Sequence, residues 1–67
     1  MNILFDSIIG SENLRVLVSV HELEPATPLL TIERGGMSEY AFKDATELRL
    51  CGEAIRLAGI RLMEQGL

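Results

Sequence analysis

The last third of the chain, LRLCGEAIRLAGIRLMEQGL (Leu48 to Leu67), nearly repeats itself every seven residues, with a glycine at the same place each time: Gly52, Gly59 and Gly66. Apolar residues recurring every three or four positions over this length specify an amphipathic helix. Projected at helical period, residues 44–65 place Ala45, Leu48, Cys51, Gly52, Ile55, Ala58, Gly59 and Leu62 on one face. Leu48, Ile55 and Leu62 are its ridges, with small residues between them. Each interior glycine costs about 0.8–1.0 kcal/mol relative to alanine, so Gly52 and Gly59 together cost about 2 kcal/mol. Close backbone approach would offset that cost, against a sheet in preference to a second helix. Leu48, Gly52, Ile55, Gly59 and Leu62 are therefore the expected packing residues.

The helix has clear ends. In DATE, Asp44 to Glu47, a capping residue precedes a carboxylate by three positions, the layout of a capping box. Both acids also lie at the positive end of the helix dipole. Gly66 is a natural left-handed stop. The expected span is about 44–65, roughly six turns.

Strand signals come before the helix. Residues 14–21, LRVLVSVH, put Leu14, Val16, Val18 and Val20 on one face and Arg15, Leu17, Ser19 and His21 on the other. Such alternation in β-branched residues marks a strand. The segment 3–9 is expected to pair with it across the turn-like GSEN, although Leu4 and Ile8 would equally suit one helical turn. LEPATP interrupts the chain at Pro25 and Pro28. Residues 29–34 and 37–42 then flank Gly35-Gly36, which suits a tight hairpin. A two-residue loop sets Ile32 opposite Glu39, and a three-residue loop with Ile32 on Tyr40 sets Glu33 opposite Glu39. Each register has one awkward pair, and both stay open. The expected fold class is α+β: a small antiparallel meander of three to four strands within 1–42, followed by one C-terminal amphipathic helix on one sheet face.

A chain of 67 residues makes one domain. At this size only about 60% of the unfolded surface is buried, so disulfides, a metal or a partner usually supplement the core. Cys51 is the only cysteine and His21 the only histidine, which leaves no intrachain disulfide and no structural zinc set. A lone thiol, a first segment without a positive n-region and the lack of a long apolar run together suggest a soluble cytoplasmic protein. Association with another chain remains as the means of support.

The charge narrows the partner. Ten acids against six bases give −4, unlike the basic footprint of a nucleic-acid binder. No catalytic set, cofactor motif or metal site is expected. His21-Glu22 begins like HExxH, but Pro25 stands where the second histidine would be. His21 and Cys51 could pair as base and nucleophile, yet no third group is visible and Cys51 falls on the packing face. Leu50 and Leu57 form a thinner stripe away from the main one, flanked by Arg49 and Arg56. Leu17, with Ile32 or Tyr40, would mark the sheet face turned away from the helix. Two uncovered faces imply association. The leading expectation is a non-enzymatic interaction module, homodimeric or bound to another protein, working as adaptor, regulator or inhibitor. The alternative is an acidic nucleic-acid mimic that inhibits a host or phage defence complex, supported only by the −3 balance of residues 1–43.

Overall fold

A computed structural model describes residues 2–11 and 13–66. Four strands precede one helix: β1 (Asn2–Ile9), β2 (Leu14–His21), β3 (Glu24–Glu33), β4 (Met37–Ala41) and α1 (Ala45–Glu64). The strands form one antiparallel open sheet in the order β1-β2-β3-β4, and α1 packs against it beside β3. The expected α+β meander is present.

Local chemistry explains the elements. The alternation of 14–21 makes β2 a central strand, paired on both sides. The segment 3–9 is strand, with a bulge between Ile3 and Phe5 that resets its alternation. The β1–β2 connection uses Gly10 and Asn13, both at positive φ, where glycine and asparagine are tolerated best. β3 starts earlier than expected and runs through both prolines. The register shifts between Val20 and His21, and β4 does not extend alongside residues 24–27, so Pro25 interrupts no ladder on that side. Pro28 keeps its carbonyl in use by accepting a hydrogen bond from Phe42 N at 3.0 Å.

The hairpin register differs from both expected forms. Glu33 stands opposite Met37, leaving a three-residue loop, Arg34-Gly35-Gly36, with Gly35 at φ +67. Leu30 therefore faces Tyr40, and Thr31 faces Glu39. This register avoids both the Ile32–Glu39 and the Glu33–Glu39 pairs. It also corrects the placement of Ile32 and Tyr40, which share the face of Val16 and Val18, not that of Leu17.

The cap of α1 is built as its sequence implies. Asp44 is extended, and its Oδ1 accepts from Glu47 N at 2.8 Å. The reciprocal bond is displaced by one residue, from Lys43 N to Glu47 Oε1 at 3.1 Å. At the other end Gly66 has φ +77, and its N–H donates to Met63 O at 3.0 Å.

The core is very small. Val20, 8% exposed, and Pro28 are the apolar side chains buried among the described residues. Ser19 and Thr31 are buried as well, as short side chains in rows of longer neighbours. The radius of gyration is 13.5 Å, against about 11 Å for a compact domain of this length.

Candidate functional site

Strand alternation and register divide the sheet into two faces of different chemistry. On the helix side lie Phe5, Ser7 and Ile9 of β1, Leu14 to Val20 in alternation on β2, Pro28, Leu30 and Ile32 of β3, and Ser38 and Tyr40 of β4. None of these is charged. The opposite face carries the charged Asp6, Arg15, Glu33 and Glu39 with His21, Leu17 and Thr31, and the exposed Ile3, Ile8 and Met37 among them. There the Arg15 guanidinium grips Asp6 through two hydrogen bonds of 2.8 and 2.9 Å and lies 3.8 Å from Glu33. The hydrogen bonds from Arg15 hold the Asp6 carboxyl below its usual range, and Asp6 in turn raises Arg15.

The uncharged face is only partly covered. Four strands at about 4.8 Å spacing make a face roughly 15–19 Å wide, whereas one packed helix occupies about 8–10 Å of it. The backbone of α1 comes close to β3 and to no other described strand. Phe5 and Ile9, on the β1 half, are 53% and 51% exposed. Between helix and sheet lies an open apolar cleft of about 350 Å³, with Ile9, Val16 and Ile32 on one wall and Leu48, Gly52 and Ile55 on the other.

Of the expected packing residues, Leu48 is half-buried beside Cys51, and Gly52 and Ile55 line the cleft. Ile55 nonetheless remains 62% exposed, and Leu62, a helical turn and more beyond, is 50% exposed. The glycines do not make the close approach to the sheet expected of them. A Cβ built at Gly52 or Gly59 meets nothing within 4 Å. The reason is geometric: α1 leans on the sheet through its first turns and stands clear of it afterwards.

The second group of expected surface residues is exposed on the helix. Leu50 and Leu57 lie on its far side, with Arg49 and Arg56 between the two stripes. Arg56 is engaged locally, with Glu53 at 2.6 Å, and its hydrogen bonds lower the Glu53 pKa. Leu17 is half-buried on the charged face. Reading the sequence missed Phe5 and Ile9, because the bulge at Leu4 hides the alternation that would have paired them with Val18 and Leu14.

The structure does not bring His21 and Cys51 together. His21 projects from the charged side of the sheet, and its Nδ1 accepts from Leu23 N at 3.1 Å. Cys51 lines the cleft on the opposite side. Among the described residues no three His, Cys, Asp or Glu side chains cluster as a metal site, and no helix is long and apolar enough to cross a membrane. Comparison with protein-family models, with curated proteins and with solved structures finds no match to this chain.

Proposed function

We propose that this protein is a non-enzymatic interaction module that self-associates as a homodimer and acts as an adaptor, regulator or inhibitor of another protein. One observation carries the reading: the isolated chain exposes about a quarter more surface than a folded monomer of its mass, with large apolar side chains such as Phe5, Ile9 and Leu62 at least half exposed. Its accessible area is 5277 Å², about 1,000 Å² above the roughly 4,200 Å² that monomer scaling gives. A standard interface takes about 800 Å² from each partner. The surplus is of the right size for one such interface.

The acidic-mimic reading gains nothing from the geometry. Asp6 and Glu33 share Arg15, and Glu53 is held by Arg56, so these acids do not form the unbroken row that imitates a phosphate backbone. Size exclusion coupled to light scattering tests self-association. The expected result is twice the chain mass at micromolar concentration. A folded species of single-chain mass at every concentration would refute it.

A further inference from the structure

The uncharged sheet face and the far end of α1 each lack what the other has. The backbone of α1 comes close to β3 and to no other described strand, so Phe5 stays 53% exposed and Ile9, on the rim of the open cleft, 51%, and there is width for a second helix beside the first. Beyond Ile55, α1 carries an apolar ridge with no strand beneath it. The stripe itself is continuous. Leu48 and Ile55 run it along the cleft beside the chain's own β3, and Leu62 continues it past that cleft.

We propose that the occupant of the β1–β2 half is the C-terminal half of α1 from a second copy of this chain, placed there reciprocally about a two-fold axis. This rests on the homodimer reading above and adds its interface. Gly59 and Leu62 of each helix, with the exposed flank of Ile55, pack over Phe5 and the exposed edge of Ile9 of the other sheet. A two-fold arrangement is satisfied because patch and counter-patch are both present on every copy. Three observations favour a second copy over an unrelated partner. The surplus exposed area matches one side of a standard interface. The two surfaces are complementary in kind, a flat apolar face and an apolar helical ridge, and neither carries a charge. Self-association of a −4 chain meets overall repulsion, and this uncharged route keeps the acids of the opposite sheet face out of contact.

The interface is mapped by disulfide trapping in the full chain. With Cys51→Ser as background, one preparation carries Ser7→Cys, which sits between Phe5 and Ile9 on the uncovered half, and another carries Leu62→Cys. Mixed and oxidised, they should give a Ser7→Cys to Leu62→Cys cross-linked pair as the main product, at least tenfold over a mixture of Ser7→Cys with Leu57→Cys. In parallel, Ile9→Asp or Leu62→Asp should raise the dimer Kd at least hundredfold, with Leu17→Asp and Leu57→Asp within about threefold of the parent. Circular dichroism shows which variants remain folded, and the trapping reads the contact without any charged substitution. A dimer that traps through Leu57→Cys, or dissociates with Leu17→Asp alone, overturns this interface and leaves self-association standing. A parent chain that is monomeric throughout removes both.

Discussion

At the residue scale, the informative positions are those whose surroundings contradict the usual reason for their presence. Gly52 interrupts a helix, yet a Cβ there has open space and ordinary helical φ. Gly52→Ala should therefore raise stability by about 0.8–1.0 kcal/mol, the propensity difference alone. Urea denaturation reads this directly; a lowered midpoint would mean that another chain's backbone lies against that position. Asp6 and Arg15 give a second test. The carboxyl is held below its usual range by the hydrogen bonds from Arg15, so the pair contributes above the pKa of an unfolded aspartate and fades as pH falls through the folded value. Both partners are solvated, so the contribution is small and screened by salt. Replacing Asp6 with Asn should flatten the acid limb of a stability profile below about pH 4, where free aspartates protonate. An unchanged limb would show that the pair adds nothing measurable.

At the element scale, α1 is held at one end only. Leu48 is half-buried against the sheet, whereas Leu62 has no strand under it. Leu48→Ala should cost roughly 1–2 kcal/mol at any protein concentration, less than the ~2–5 of a fully buried leucine. Leu62→Ala should act through the interface, so in a double-mutant cycle its loss should be non-additive with that of Phe5→Ala, whereas the loss at Leu48 adds independently. Strictly additive losses at Leu62 and Phe5 would show that Leu62 does not meet the partner's sheet. The same asymmetry shows what a sequence can disclose. Alternation in 14–21 gave β2 and its two faces, and DATE with Gly66 gave both ends of α1, because these signals are local. Periodicity also gave the direction of the Leu48–Ile55–Leu62 stripe. It could not say how far the sheet extends beneath that stripe, which depends on where α1 lands. The hairpin register was hidden for a related reason: it follows from the loop conformation at Gly35 and from keeping Glu39 opposite Thr31. β1 was obscured by one inserted residue, and β3 continued through prolines because its first residues have no β4 beside them.

At the scale of the whole molecule, the apolar side chains buried among the described residues are Val20 and Pro28, a small core for a 67-residue chain. Small domains that persist without disulfides or metals compensate with dense helix packing or with a partner. Here the helix packs on the sheet beside β3 only, and the principal extents of 44 × 26 × 16 Å describe an elongated body with most of its surface in water. Folding and association should then be one process: the dimer unfolds to two disordered chains without a populated folded monomer. For such a transition the midpoint depends on protein concentration. Each tenfold dilution removes about 1.4 kcal/mol from the apparent stability of the dimer. Far-UV circular dichroism at a series of urea concentrations, repeated over a hundredfold range of protein, should show the whole transition moving to lower urea on dilution, with helix and sheet signals lost together. A midpoint that stays fixed over that range would mean that a single chain holds its own fold. The exposed ridge of α1 and the open half of the sheet would then require a different protein to cover them.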